Sequence, residues 1–319
     1  MKRNQTKASR ASTPNATISS EARSKEGRGG PATAGNAWIG KFLDFCHGND
    51  LPVDFISTHY YPTDAFGKPG ADTLTQLQHS SADVMREKAQ QTRNHAGDLP
   101  VYYTEWSISS NPRDPLHDEP FAAALAVKII MGVNGLVDGY SYWTFSDIFE
   151  ENYFPSLPYQ GGFGLLNLYG VPKPTYRAFE LLHRLGKESV DVVGQHETVS
   201  AWVVRHDSRV TVLLINHAMP RHPINTEIVR LKIASSRQPR AAHSQRIDED
   251  HANPRRAWQE MGSPDYLSAA LVAELSGVSE CESKSHPFDY QNNDLSFEVT
   301  LPPLSVAAIT FEFAARTGG

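Results

Sequence analysis

Val101-Tyr102-Tyr103-Thr104-Glu105-Trp106 is the stretch on which the fold turns. Its β-branched and aromatic residues predict a short strand over Val101–Thr104, with a carboxylate and an indole directly after it. Two other runs are built the same way. A strand over Val53–Thr58 leads into Ser57-Thr58-His59-Tyr60-Tyr61, and a strand over Tyr140–Phe145 leads into Thr144-Phe145-Ser146-Asp147. His59 and Glu105 lie 46 residues apart, and Glu105 and Asp147 lie 42 apart. One strand-and-helix unit with a generous loop fills each interval.

The segments between these runs read as helices. Trp38, Ile39, Phe42, Leu43, Phe45 and Cys46 recur at helical spacing, with Asn36 as N-cap and Gly48 as stop. Leu74–His95 is a polar helical stretch. Asp118 offers a cap ahead of Pro120, with Phe121, Leu125 and Ile129 along one face of the helix that follows. Pro174–Leu185 closes the series, with Phe179, Leu182 and Leu185 inward. Strands alternating with helices imply a parallel sheet, whose strand ends gather on one carboxyl-terminal face. A doubly wound sheet would gather them too, but no Gly-rich phosphate fingerprint follows any strand, so barrel geometry is favoured.

After Gly186 the texture changes. Thr198–Val204, Val210–Asn216, Thr226–Leu231, Leu295–Leu301 and Ser305–Phe313 read as short alternating strands, an all-β module of sandwich type. The polar region Arg237–Ser263 reads as a long loop and Tyr266–Leu275 as a short helix. At the other end, Met1–Arg28 holds seven Lys/Arg, two Glu and no aromatic residue, a net +5 that leaves −11 on the rest. Such a stretch buries too little apolar surface to offset chain entropy and reads as a disordered tail. The expected division is therefore a tail over 1–28, a βα region over 29–186 and a β-sandwich over 187–319.

Composition narrows the function classes. Of the 319 residues 39% are hydrophobic and 21% charged, a soluble globular profile, and no apolar run approaches membrane-spanning length. A net charge of −6 argues against nucleic-acid binding. Cys46 and Cys281 lack metal-site spacing, no His/Asp/Glu group has ligand spacing, and no G-x-S-x-G elbow is present. No metal or cofactor is expected. With no secretory h-region, the expected location is cytoplasmic.

Glu105 is the first candidate for chemistry. A carboxylate at a strand end, walled by aromatic rings, suits a glycosidase nucleophile, because sugar C–H faces stack on rings while the carboxylate attacks an oxocarbenium-like centre. The alternative is a rim carboxylate paired with a cation. His59 and Tyr61 suit hydrogen bonds to sugar hydroxyls or to that carboxylate. Trp143 suits a sugar platform or a core position, and Glu150 or Glu151 a hydroxyl grip or a solvated loop.

VDFISTHYYP (Val53–Pro62), VYYTEWSISS (Val101–Ser110), GYSYWTFSDIFEE (Gly139–Glu151) and GGFGLLNLYGVPKPTYRAFELLHRLG (Gly161–Gly186) resemble glycoside hydrolase family 39, which holds β-xylosidases and α-L-iduronidases. GGPATAGNAWI (Gly29–Ile39), RIDEDHANPRRAWQEMGSPDYL (Arg246–Leu267) and LPPLSVAAITFEF (Leu301–Phe313) are similar to it as well, and the bacterial β-xylosidase branch is the nearer one. The resemblance implies a retaining hydrolase with a TIM-type barrel and an accessory β-sandwich. It implies Glu105 as nucleophile, His59 and Tyr61 lining the sugar subsite, Trp143 as platform and Glu150 on a xylose hydroxyl. The implied partner is a xylose-containing oligosaccharide or β-xyloside. Arg113 is the nearest cation for the carboxylate that an iduronidase would bind.

One family element is missing. The acid/base Glu of family 39 stands in a Trp-Asn-Glu-Pro motif after the fourth strand, and no such motif occurs here. The resemblance begins near the fifth strand, and Gly29–Leu185 supplies 157 residues where a complete barrel takes about 250. The expectation is the C-terminal half of a barrel, strands five to eight. A retaining site needs a second carboxyl about 5–5.5 Å away, and Glu150, Glu151, Asp114, Asp118 and Glu119 are the substitutes in reach by sequence. Activity of this polypeptide is doubtful on that account, and the alternative is a non-catalytic truncated remnant with residual sugar binding. An open half-barrel also leaves apolar faces and edges unpaired, which predicts self-association.

Overall fold

In a computed structural model, which describes residues 18–19, 38–63, 72–149 and 156–315, the first part of the chain is a four-stranded parallel sheet with helices. In chain order it comprises β1 (Ile18–Ser19), α1 (Trp38–Gly48), β2 (Ile56–Tyr60), α2 (Thr73–Gln78), α3 (Val84–Ala96), β3 (Val101–Trp106), α4 (Pro120–Val133), β4 (Gly139–Tyr142) and α5 (Pro174–His183). The strands lie side by side in sequence order, as right-handed crossovers through helices produce. β1 pairs in parallel with Ile56 and Ser57, so the segment expected to be a disordered tail contains one strand. Its remainder lies outside the described residues.

One helix-facing side of the sheet is filled. Ile56, Val101 and Tyr103 pack with Ile39 and Leu43 of α1 and Ala89 and Ala96 of α3, and the Tyr103 hydroxyl meets Thr92 Oγ1 at 2.9 Å. The expected single helix over Leu74–His95 is two, broken at 79–83, where His79 ends α2 and α3 begins after Asp83. Asp72, not Leu74, marks the start, and its side chain accepts from the Thr75 N–H. Asp118 does not cap α4. It lies in a 3-10 turn over Pro115–Asp118, and the cap position belongs to Glu119.

The second part holds β5 (Glu188–Val190), β6 (Val199–His206), β7 (Arg209–Asn216), β8 (Glu227–Ala234), β9 (Ala241–Ile247), α6 (Pro254–Glu260), α7 (Ala269–Val278), β10 (Lys284–Ser285), β11 (Asp289–Gln291), β12 (Asp294–Leu301) and β13 (Ser305–Glu312). Antiparallel sheets of order β10-β9-β13-β7-β6-β5 and β11-β12-β8 share one apolar cluster, with Leu214, Ile309 and Phe311 from the first and Leu295, Phe297 and Leu301 from the second. β9 replaces part of the expected loop: Ala-Ala-His-Ser-Gln-Arg-Ile carries little strand signal, and pairing with β13 on one side and β10 on the other fixes it.

The boundary expected at 186/187 does not coincide with a gap in the core. Ala123, Ala124 and Val127 of α4 and Ala178 and Leu181 of α5 pack into one cluster with Leu213, Ile215, Ile247, Val306 and Ala308 of the larger antiparallel sheet. α4 is apolar on nearly all sides, and its alanines let the sheet approach closely. At this junction His217, 4% exposed, packs on the Phe121 ring, and neither ring nitrogen has a hydrogen-bond partner. Burial, with a smaller contribution from Lys128, pulls its pKa down to about 3. The unfolded chain, at about 6.5, therefore binds the proton first, and stability falls as pH drops from 6.5 toward 3 by up to about 1.4 kcal/mol per pH unit from this group. Urea titrations at stepped pH should show a shallower acid slope for His217→Gln. An unchanged slope would refute the assignment.

Candidate active site

Strict alternation along β3 would send Glu105 to the same side as Val101 and Tyr103, against the helices. The strand avoids this with a bulge. Tyr103 pairs with Thr58 and Glu105 with His59, so Thr104 is an extra residue, and the register with β4 slips over the same span. Thr104 and Glu105 then both stay out of the buried layer, while Trp106 drops into it and stacks on Tyr140 at 4.5 Å. Tyr102 and Thr104 remain exposed, and Thr104 Oγ1 meets Ser57 Oγ at 3.0 Å.

The carboxylate so presented is gripped from β2. The Tyr61 hydroxyl donates to Glu105 Oε1 at 2.6 Å, and His59 Nδ1 lies 3.3 Å from Oε2. The Tyr61 bond has the short length of a charge-assisted contact, while His59 stands farther off. The three residues singled out from sequence in two different strand runs are thus brought together in space. Trp143 follows β4; its backbone N–H donates to the Trp106 carbonyl at 2.7 Å, and its half-buried ring meets Phe149 edge-on at 4.8 Å. Phe145, Ile148 and Phe149 are exposed. Glu150 and Glu151 lie outside the described residues.

The other acidic candidates are engaged elsewhere. Asp114 is buried and accepts from Ser109 Oγ at 2.6 Å and from the Leu116 N–H. Glu119 pairs with Arg255 of α6. Asp118 and Asp147, expected at a helix cap and a strand end, are both buried around Lys173, at 2.6 and 2.7 Å from its Nζ. None of the three expected substitutes that are described here stands free to protonate a leaving group. Among the described residues no group of three or more His, Cys, Asp or Glu is placed to hold a metal ion, and no helix is long and apolar enough to cross a membrane.

Lys173 went unnoticed in the sequence. It is fully buried, which by itself would favour the neutral amine, yet the two carboxylates outweigh burial and hold it well above its ordinary pKa. Asp147 is pushed up by burial, with Lys173 opposing and Asp118 reinforcing the shift. The glycines of GGFG explain how the cluster closes. A Cβ at Gly162 would stand 2.3 Å from Asp147 Oδ1, one at Gly164 2.3 Å from the Asp147 nitrogen, and Gly161 has φ +81. Three glycines around one Phe, followed by a lone Lys in an apolar V-P-K-P run, were the available signal.

The site thus offers an oriented carboxylate on the carboxyl-terminal side of a parallel strand, beside a phenol, an imidazole and aromatic rings. The chain belongs to glycosyl hydrolases family 39, whose profile matches residues 18–293. A β-xylosidase of Caldicellulosiruptor saccharolyticus is 41% identical over 288 residues, covering 89% of this chain and 59% of that protein. A β-xylosidase of Geobacillus stearothermophilus is 34% identical over 255 residues, covering 77% and 50%. Among solved structures, the family 39 enzyme of Xanthomonas axonopodis pv. citri superposes with a TM-score of 0.72 at 26% identity, over 89% of this chain and 60% of the other. A monomeric β-xylosidase of Caulobacter crescentus CB15 gives 0.68 at 28%, over 90% and 61%. The chain spans 59% and 50% of the lengths of the two curated relatives.

Proposed function

We propose that this chain carries the nucleophile side of a retaining β-xylosidase site, acting on a β-xyloside or xylose-containing oligosaccharide. The observation that carries the reading is the Glu105 carboxylate held by Tyr61 and His59 on the open side of β3. Tyr61 and His59 fix the carboxylate's direction. One carboxylate oxygen attacks the anomeric carbon, the bond to the leaving oxygen breaks, and the leaving group departs with the electron pair. Trp143, with Phe149 beside it, offers an apolar face for the sugar ring, and Glu150 is assigned to a xylose hydroxyl. The coverage of the relatives supports reading the parallel sheet as strands five to eight of a βα barrel and the antiparallel sheets as an accessory sandwich.

No Trp-Asn-Glu-Pro stands in the 319 residues, and Asp114, Asp118 and Glu119 are bound to Ser109, Lys173 and Arg255. Dinitrophenyl 2-deoxy-2-fluoro-β-xyloside needs no proton on its leaving group and should acylal-link to Glu105, with dinitrophenolate released and the adduct located by peptide mass mapping. Glu105→Gln should leave no adduct. Xylose binding without any adduct would favour the alternative, a sugar-binding remnant without catalysis.

A further inference from the structure

The Lys173 cluster does more than fill the core. Asp118 Oδ2 accepts from the Gly161 N–H at 2.7 Å, Lys173 Nζ donates to the Gly162 carbonyl at 3.0 Å, and Asp147 Oδ1 accepts from the Gly164 N–H at 2.7 Å. The Phe163 carbonyl accepts from the Thr144 N–H at 3.1 Å, and the Gly161 carbonyl from His117 Nδ1 at 2.9 Å. Every residue of 161–164 is thereby fixed at its backbone, three of them by the charged side chains. The one side chain in that segment, Phe163, is buried between the His117 ring at 5.0 Å and the Tyr61 ring at 6.5 Å. Tyr61 is the donor to Glu105.

We propose that Lys173, Asp118 and Asp147 act as positioning residues for the nucleophile: they pin 161–164 so that Phe163 braces Tyr61, and Tyr61 in turn sets the Glu105 carboxylate. A well-packed apolar trio would stabilise a core as well as a buried ion cluster does, so stability alone gives no reason for these three charges. Charged groups supply what apolar ones lack, directional bonds to three of the four residues of a glycine-rich segment that has no side-chain packing of its own apart from Phe163. The inference rests on the nucleophile reading of Glu105 for its functional meaning, though not for its geometry.

Phe163→Ala and Phe163→Leu in the full chain separate positioning from folding, since Lys173 variants risk the fold itself. With the fluoroxyloside trap, Phe163→Ala should lower the trapping rate at saturation by about tenfold or more while the half-saturating concentration stays within about twofold, and Phe163→Leu should recover most of the loss. In parallel, 3-fluorotyrosine placed at position 61 gives a fluorine resonance whose bonded and unbonded limits are set by the native chain and by Glu105→Ala. Phe163→Ala should move that resonance toward the Glu105→Ala limit. A resonance that stays at the native limit, or a trapping rate within about twofold of native, overturns the proposal. If the native chain forms no adduct at all, the nucleophile reading fails, and the fluorine resonance alone decides the positioning role.

Discussion

On the proposed reading, dinitrophenyl β-xyloside is expected to be cleaved by this chain with a kcat/KM about 10²–10⁴ above that for xylobiose, the range that general acid catalysis typically contributes. The aryl leaving group departs as a stabilised phenolate, whereas the sugar leaving group needs a proton in the transition state. Asp114, Asp118 and Glu119 are already bound to Ser109, Lys173 and Arg255, so none of them supplies it. Glu105→Ala should abolish both activities, because without the carboxylate no glycosyl-enzyme forms. Steady-state rates on the two substrates check this. Xylobiose turned over as readily as the aryl substrate would place a proton donor within these residues and overturn the reading.

Lys173→Met is expected to cost about 3–5 kcal/mol of stability, since removing one member of a buried charged set leaves the others uncompensated. Here two carboxylates, Asp118 and Asp147, would face each other in a site with no solvent access. Chemical denaturation reads the loss directly. Lys173→Met combined with Asp118→Asn and Asp147→Asn should recover part of it, because the amides carry no charge and still accept from Gly161 and Gly164. A single Lys173→Met change of under about 1 kcal/mol would be the size of an exposed pair and would refute a buried, uncompensated cluster.

His59, Tyr61 and Glu105 were legible in the sequence because parallel strands end at one level, and residues about a strand–helix unit apart therefore meet. The bulge at Thr104 was not legible. Val-Tyr-Tyr-Thr-Glu-Trp suits either register, and only pairing with β2 and β4 decides which side Glu105 takes. Asp118 and Asp147 were visible as residues but read through local rules, as a helix cap and a strand-end group. Their partner, Lys173, is far from both in sequence with no period linking the three, and such contacts leave no local pattern. β9 was missed for a related reason: a polar strand held by two neighbours needs little strand preference of its own.

The cluster that joins α4 and α5 to the larger antiparallel sheet bears on how this chain can be recombined. The antiparallel part shares that cluster with both helices. Fused to a foreign parallel sheet, it would bring Leu213, Ile215 and Val306 without Ala123, Val127 and Leu181 to receive them, so a chimaera is expected to need a crossover ahead of α4 that carries both helices along.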